Sequence, residues 1–215
     1  MKYGIVGATG LTGLELLKQL PSGEVSAFVR QPDKLPKGMN LEVVRGDVSN
    51  QSALTDWASK QETVFMTLGH PFTWTLVLYN LGLNRKYPLR RILTDSLAAV
   101  MKGKPKRIVY LSAYGVHETR PDLPFMFGKI ILPVFIGEVY RDHESAESLL
   151  RSYSGEWVAA RPAQLINTPA RNQYRAEARL GPGGATKIAR ADVAHFMIHA
   201  AQETTWLGQT AGLAY

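Results

Sequence analysis

The stretch "GATGLTG", from Gly7 to Gly13, follows the apolar opening "MKYGIV" and precedes the amphipathic run "LELLKQL". Its glycines, Gly7, Gly10 and Gly13, therefore stand where a strand passes into a helix. At such a junction the first glycine permits a tight turn, the middle one admits a diphosphate close to the backbone, and the third lets helix and strand pack closely. The spacing predicts a dinucleotide loop with phosphate at the helix N-terminus.

Apolar runs alternate with amphipathic segments along the chain, which is typical of a parallel sheet covered by helices. We predict a single α/β domain over residues 1–215, because this length is short for two independent domains. The predicted strands lie near residues 2–6, 24–29, 41–45, 63–68, 107–112 and 156–161, with short ones near 186 and 210. The predicted helices lie at 11–20, 51–60, 90–102, 138–152 and 191–202. Thr12 and Glu15 have the T-x-x-E spacing of a capping box at the start of the first helix.

Composition and charge exclude several classes of function. The chain has no cysteine, which excludes disulfides, thiolate nucleophiles and zinc-thiolate sites. His195 and His199 stand one helical turn apart, but the glutamate of the metalloprotease pattern is missing, so we predict no metal site. The net charge of +7 includes the basic clusters "NRKYPLRR" and "KGKPKR". Neither is interleaved with aromatic side chains as a single-strand binding surface would be, so we expect no nucleic acid partner.

Location is predicted from apolar segments. The N-terminus has no basic region followed by an apolar one, and the longest apolar stretch, "FMFGKIILPVFIG", contains Lys129 and Pro133 and is too short to cross a bilayer. We therefore expect a cytoplasmic protein with no membrane span, present as a monomer or a weak homo-oligomer.

The second predicted strand, "EVSAFVR", ends where a bound dinucleotide places its adenosine ribose. A protein that prefers NAD usually has Asp or Glu there, whereas this chain has Arg30, followed by Lys34. A guanidinium binds a 2'-phosphate that a carboxylate would repel. The two cations predict a preference for NADPH over NADH; two solvated surface cations are the alternative.

The next two strand ends carry further candidates. After the third strand, Asp47 is placed to accept from an adenine amino group while Val48 covers the ring, or else Asp47 caps the next helix through its backbone. After the fourth strand, Leu68 and Gly69 bring backbone to the edge where ligands bind.

Eight motifs follow one another along nearly the whole chain: "GATGLTG", "VRQPDKL", "GDVSN", "TLGHP", "RIVYLSAYGV", "DHESAESLLRS", "EWVAARPAQLINTP" and "ARADVAHFMI". In this order they resemble the atypical short-chain dehydrogenase/reductases with an NAD(P)H-binding domain, especially the biliverdin reductase B or flavin reductase type and NmrA-like proteins. The resemblance implies a Rossmann-like, doubly wound parallel sheet with NADPH along its carboxyl edge.

By matching motif positions, the resemblance also implies the residues that contact the cofactor. They are Gly7, Thr9, Gly10, Leu11, Thr12 and Gly13 at the pyrophosphate, Arg30 and Lys34 at the 2'-phosphate, Asp47 and Val48 at adenine, Leu68 and Gly69 at the ribose, and Ser112, Ala113 and Tyr114 at the nicotinamide. The loop that closes over the nicotinamide end would be Pro162, Ala163, Gln164 and Leu165.

The chain departs from typical short-chain dehydrogenases at their proton relay. Those enzymes use a Tyr-x-x-x-Lys pair, whereas the residues four beyond Tyr110, Tyr114 and Tyr140 are Tyr114, Glu118 and Glu144. We therefore predict hydride transfer to a flavin, quinone or similar acceptor that takes its proton from solvent. Ser112 and Tyr114 are the candidate catalytic residues; a hydroxyl bonded to backbone and an aromatic wall are the alternative roles.

Two other classes of function stay open. One is a regulator that senses NADP(H) without turnover, and a weaker one is a nucleotide-sugar epimerase, which needs the missing relay. We interpret residues 113–140 and 162–190 as substrate-side loops. Within the first, Pro124 to Tyr140 is apolar enough to form the wall of an acceptor pocket, with core packing or a hydrophobic partner or membrane contact as alternatives. The run "DHESAESLL" reads as a solvated helix start.

Overall fold

A computed structural model describes residues 2–70, 73–84, 86, 91–184 and 186–215. The strands are β1 Tyr3–Val6, β2 Val25–Val29, β3 Glu42–Arg45, β4 Thr63–Met66, β5 Arg107–Leu111, β6 Glu156–Pro162, β7 Gln164–Ile166, β8 Arg175–Glu177, β9 Lys187–Ala189 and β10 Gln209–Ala214. The α-helices are α1 Leu11–Gln19, α2 Gln51–Ala58, α3 Trp74–Asn80, α4 Ile92–Lys102, α5 Gly137–Leu150 and α6 Arg190–Gln202. A π-helix spans Phe127–Ile136, and 3₁₀ turns span Pro32–Lys34 and His117–Asp122.

The strands form an eight-stranded sheet in the order β3-β2-β1-β4-β5-β6-β10-β8, and β7 pairs with β9 separately. The paired strands run parallel except β8, which is antiparallel to β10. The chain moves outward from β1 to β3 and then returns to β4, which pairs with β1 on its other side. The direction of winding therefore reverses between β1 and β4, and this confirms the predicted Rossmann-like, doubly wound sheet.

Apolar layers cover both faces of this sheet. On one face α1 and α6 pack together and bury Leu16 and Met197 against the strands. On the other face α2, α4 and α5 bury Leu54, Leu97 and Leu150. Each of these side chains is fully buried, and burial of this kind stabilises a fold by about 1.5–3 kcal/mol per side chain. The two layers hold the strand ends in place.

The predicted elements are present, with boundaries shifted by a few residues. The helix predicted from residue 90 begins at Ile92, and residue 90 itself, like Arg85 in the same basic cluster, lies outside the described residues. The prediction missed α3, β7, β8 and the π-helix. The three short elements have too few residues to show a periodicity, and the π-helix contains Pro133, which reads as a breaker.

Candidate functional site

The glycine loop is a tight turn pressed against the end of β4. Gly7 has a φ of +90°, and a Cβ there would lie 2.8 Å from the Thr67 carbonyl carbon. The Gly7 carbonyl accepts from the Gly10 N–H at 2.9 Å and occupies the place that a Gly13 Cβ would need. Side chains are therefore sterically excluded at Gly7 and Gly13 by the protein itself.

The N-terminus of α1 is left open for an anion. Gly10 is the N-cap residue, and among the described residues no side chain caps the helix. The predicted capping box is wrong, because Thr12 is buried inside the helix and Glu15 instead accepts from Lys18 at 2.7 Å. The first turn also lacks an acidic residue, so the helix dipole and the leading N–H groups meet no carboxylate there. Exposed Leu11 and half-buried Thr9 flank the opening.

The ends of β2 and β3 bring Arg30 and Asp47 together. Arg30 Nη1 lies 4.0 Å from Asp47 Oδ2, and the Arg30 side chain is 73% exposed. Lys34 is exposed in the turn that follows β2. Asp47 Oδ1 accepts from the Ser49 N–H at 2.9 Å and the Ser49 hydroxyl at 2.8 Å, and these bonds lower the pKa of Asp47. Its side chain closes this turn, while Asn50 caps α2.

Val48, which follows β3, and Leu68, which follows β4, are half-buried and pack against the same apolar layer. Gly69 is exposed, and no described atom lies within 4 Å of the place that its Cβ would take. The fold thus explains the absence of a side chain at Gly7 and Gly13 but imposes no such limit at Gly69.

At the ends of β5 and β6, Ser112 joins a buried ion pair. Its hydroxyl donates to Glu147 Oε1 at 2.5 Å, and Arg161 holds both Glu147 oxygens at 2.9 and 2.5 Å. The Arg161 side chain is 0% exposed and also donates to Glu118 at 2.5 Å. Since Arg161 is on β6 and Glu147 is on α5, this pair fixes the helix against the strand end. The bond partner of Ser112 is thus a carboxylate, not backbone.

Tyr114 is held by a second carboxylate, on the other side of the strand end. Its hydroxyl donates to Asp122 Oδ2 at 2.7 Å and accepts from the Leu180 N–H at 2.9 Å. Arg179 donates to both oxygens of the same Asp122, at 2.8 and 2.6 Å. Burial, and then the bond to Asp122, raise the pKa of the Tyr114 hydroxyl. Its ring closes on Gly212, where a Cβ would lie 2.9 Å away.

The RPAQL segment, residues 161–165, begins at the end of β6 and extends along the same edge of the sheet. The Tyr114 N–H donates to the Pro162 carbonyl at 2.9 Å, so this segment is tied to the end of β5. Ala163, which packs near the Tyr114 ring, and Leu165 are half-buried, whereas Gln164 is exposed.

The start of α5 is buried, contrary to the solvated helix predicted for "DHESAESLL". Asp142 accepts from the N–H groups of Leu93 and Thr94 at 2.9 and 3.0 Å, and therefore caps α4 from a neighbouring helix. His70 Nε2 lies 2.8 Å from the same carboxylate. Although burial alone would raise it, the hydrogen bonds from His70 and Thr94 lower the pKa of Asp142. The sequence signal was the shared helix face of Asp142, Ala146 and Leu150, at spacings of four.

Next to Asp142, His143 is held neutral. Burial, and then the proximity of His70, lower the pKa of His143 to about 4. Its Nδ1 lies 2.8 Å from the Tyr110 hydroxyl, whose own pKa is raised by burial. A neutral imidazole and a neutral phenol thus share one hydrogen bond beneath the carboxyl end of β5.

The apolar segment after β5 is partly core and partly surface. Leu132 is buried against Val116 and Tyr140, with half-buried Ala113 beside them. The other part joins α3 in an exposed surface that we call the apolar face, made of Trp74, Leu78, Leu83, Phe125, Met126 and Ile130. Core packing therefore accounts for only part of this segment.

Among the surface depressions, one of about 420 Å³ lined by Lys2, Gly23 and Glu42 is at the amino ends of the strands. Another, of about 520 Å³, is lined by Arg91 before α4 and by residues of α5 up to Ser148. The parallel strands deliver the glycine loop to the opposite, carboxyl end, so the first depression is not the predicted site. Within the described residues no group of three or more His, Cys, Asp and Glu side chains converges on a metal position. No described helix is long and apolar enough to cross a membrane.

The predicted site residues therefore lie along one edge, in the order of the strands that carry them. From one end to the other they follow β3, β2, β1, β4, β5 and β6. The structure brings Gly7 to Thr67, Arg30 to Asp47, and Tyr114 to Pro162. Sequence reasoning missed Thr67 as the backbone that closes the glycine loop.

Comparison with known proteins places this edge in a family context. A family model described as NAD(P)H-binding matches residues 7–204. Oxidoreductase aflX of Aspergillus parasiticus is 27% identical over an alignment of 184 positions, and the alignment covers 77% of this chain and 66% of that protein. The chain thus spans slightly less than two thirds of the length of this relative.

Solved structures share the fold at low sequence identity. An anaerobillin reductase, ChuY of Escherichia coli O157:H7, superposes with a TM-score of 0.73 at 19% identity, covering 99% of this chain and 96% of that one. A short-chain dehydrogenase/reductase of Veillonella parvula, solved with NADP, has a TM-score of 0.73 at 18% identity, covering 100% of this chain and 94% of that one.

A substitution at Gly10 tests whether the glycine loop binds the coenzyme, as distinct from its role in folding. Its φ of −78° and ψ of 162° suit any residue, but a Cβ would lie 3.2 Å from the Gly7 carbonyl oxygen, which is tighter than ordinary contact, so the loop would shift by a few tenths of an ångström. We expect Gly10→Val to lower the free energy of unfolding by about 1–2 kcal/mol and to weaken NADPH binding about tenfold or more by covering the helix N-terminus. Calorimetric titration and urea unfolding measure the two effects, with Gly128→Ala as control. An unchanged affinity would contradict the predicted loop function.

His143 should make stability depend on pH. Its pKa of about 4 in the folded state lies below its usual 6.5, so the unfolded chain binds a proton that the folded chain does not between these values. Stability is therefore lost as the pH falls from 6.5 towards 4, by up to about 3 kcal/mol. His143→Asn should flatten this dependence. Urea unfolding across this pH range measures the free energy of unfolding at each pH. The same dependence of this free energy on pH in the wild type and in His143→Asn would contradict the prediction.

Proposed function

The chain belongs to the NAD(P)H-binding family, whose model spans residues 7–204, and on this premise we propose that it is an NADPH-dependent oxidoreductase that transfers hydride to a small, planar, apolar acceptor such as a flavin or quinone. The family resemblance predicted from the sequence is confirmed. The observation that carries the proposal is the side-chain-free, uncapped start of α1 among the described residues, at the point where the sheet reverses its winding.

The residues present fit a dinucleotide. The predicted diphosphate position is bounded by Gly7, Gly10 and Gly13, where a Cβ at Gly10 would enter the cradle. In the proposal the N–H groups of the first turn of α1 bind the diphosphate, and the backbone from Thr67 to Gly69 lies beside it. The Veillonella protein, which shares this fold, was solved with NADP, and this supports a nicotinamide coenzyme for the chain.

Arg30 and Lys34 supply the proposed preference for the phosphorylated coenzyme. Both are exposed, so they reach a 2'-phosphate without crossing the core. Asp47 Oδ2, at 4.0 Å from Arg30, keeps the guanidinium near the end of β3, while Asp47 Oδ1 accepts two hydrogen bonds from Ser49. A 2'-phosphate then meets a cation where a coenzyme lacking that phosphate forms no such pair.

The hydride chemistry comes from the nicotinamide when it is bound. The chain orients the reactants. Ser112 and Tyr114 each carry one hydroxyl proton, and each proton is donated to a carboxylate, Glu147 or Asp122. In the proposal Ser112 Oγ accepts a hydrogen bond from the nicotinamide end, Tyr114 supports the RPAQL segment, and solvent protonates the acceptor. Ala113 and the buried part of the π-helix form the apolar wall.

A second function is favoured by two observations. The occupied hydroxyls and the exposed apolar face also suit a protein that binds NADP(H) without turnover and passes its state to a protein partner.

Turnover separates the two functions. We expect the purified protein mixed with NADPH to show loss of the reduced nicotinamide absorbance only when a flavin or quinone from a test panel is added. Gly10→Val is the control and should lose this activity. Tight NADPH binding with no loss of absorbance for any acceptor would instead favour the sensor.

Coenzyme choice tests Arg30. We expect Arg30→Asp to weaken NADPH binding by about ten- to a hundredfold and NADH binding by less than about threefold, because only NADPH carries the phosphate that the guanidinium meets. Lys37→Asp makes the same charge change at an exposed lysine nearby and is the matched control. Calorimetry with both coenzymes measures the effect, and equal weakening of the two would overturn the assigned role.

A further inference from the structure

The apolar face is an unusual surface for a protein in water. Trp74 is 74% exposed, Leu83 73%, Phe125 77% and Met126 65%, and all four belong to α3, the π-helix or the residues next to them. Single exposed apolar residues are ordinary, but contiguous large ones mark a contact surface. This surface is therefore built to touch something less polar than water.

Contacts with α5 and with buried side chains hold the apolar face in place. α3 and the π-helix contact each other, and the Asn80 side chain accepts from the Glu138 N–H at 3.0 Å, which joins the end of α3 to the start of α5. Beneath, Leu132 is 1% exposed and packs with Val116 and Tyr140. The inward side of the π-helix is thus satisfied by the core, and Phe125, Met126 and Ile130 are left outside it.

Charge identifies what the apolar face meets. From residue 63 to residue 94 the sequence has four Lys or Arg residues and no Asp or Glu, and from 123 to 137 it has one Lys and again no acid. Lys86 and Lys129 are exposed within the two segments, whereas Arg91, also exposed, pairs with Asp95 at 3.6 Å. Aromatic and aliphatic side chains with cations and no acids are the composition of a surface that lies on anionic lipid.

We propose that the apolar face binds the surface of an anionic lipid bilayer, with Trp74 and Phe125 entering the headgroup region and Lys86 and Lys129 meeting the lipid charges. A second copy of the chain fits less well, because pairing this face with itself would bring like charges together. The proposal stands without the proposed reaction. If that reaction holds, the bilayer is also where apolar acceptors dissolve, since α3 and the π-helix follow the carboxyl ends of β4 and β5.

Sedimentation with vesicles tests the proposal on the full chain without coenzyme. We expect the protein to bind vesicles of phosphatidylcholine with phosphatidylglycerol at least about tenfold more tightly than vesicles of phosphatidylcholine alone, and added salt to weaken this binding. The double variant Trp74→Ser, Phe125→Ser should lose about tenfold or more, because both side chains leave water on binding. Both are highly exposed, so the variant should unfold at the same temperature as the wild type.

Two measurements keep the outcome clear. Val43→Ser removes another exposed apolar side chain, on β3, and should bind vesicles as the wild type does. Vesicles should also shift the tryptophan fluorescence of the wild type but not of Trp74→Ser. No binding to anionic vesicles, binding that the double variant retains, or a wild-type dimer that the double variant converts to monomer would each overturn the proposal. None of these results depends on NADPH, so failure here and failure of the proposed reaction are told apart.

Discussion

The close approach of two backbones holds the site together: the chain leaving β1 runs against the chain leaving β4. The Thr67 N–H and hydroxyl both bond the Val6 carbonyl, at 2.9 and 3.0 Å, and the next residue, Gly7, has no room for a side chain against Thr67. This contact exists because β1 and β4 are neighbours while β2 and β3 lie on the other side. Because of this contact, Gly10 is the N-cap residue of α1, and the positive end of the helix dipole faces the edge of the sheet.

The other end of that edge depends on α5, whose polar side chains act as clamps. Asp142 holds the start of α4, His143 meets Tyr110 on β5, and Glu147 pairs with Arg161 on β6. A buried ion pair adds little net stability relative to an apolar core, but removing one partner leaves an uncompensated charge and costs about 3–5 kcal/mol. The carboxylates of α5 therefore fix where the strands end, and Ser112 is fixed with them.

Sequence reasoning predicted the fold and the edge because local patterns record both. Strand and helix periods predicted the sheet, and the glycine spacing predicted a loop at the first strand–helix junction. The capping-box prediction was wrong because the T-x-x-E spacing does not determine which residue is the first of the helix. Steric exclusion at Gly7 and Gly13 makes the helix begin before Thr12. The buried acids of α5 were missed because a charged residue is ordinarily solvated, and only the tertiary partner Arg161, distant in sequence, makes Glu147 a core residue.

The π-helix has a structural effect beyond the surface that it presents. Its i→i+5 bonding makes each turn wider than an α-turn, so it alters the angular phase between the segment it occupies and the helix that continues from it at Gly137. The residue between the two helices, Ile136, has a φ of −135° and a ψ of 16°, so the helical backbone is interrupted there. The outward apolar positions before Gly137 and the inward acidic positions after it therefore do not form one stripe. The exposed apolar residues can therefore be replaced one at a time without moving the acidic side chains of α5 that contact β5 and β6.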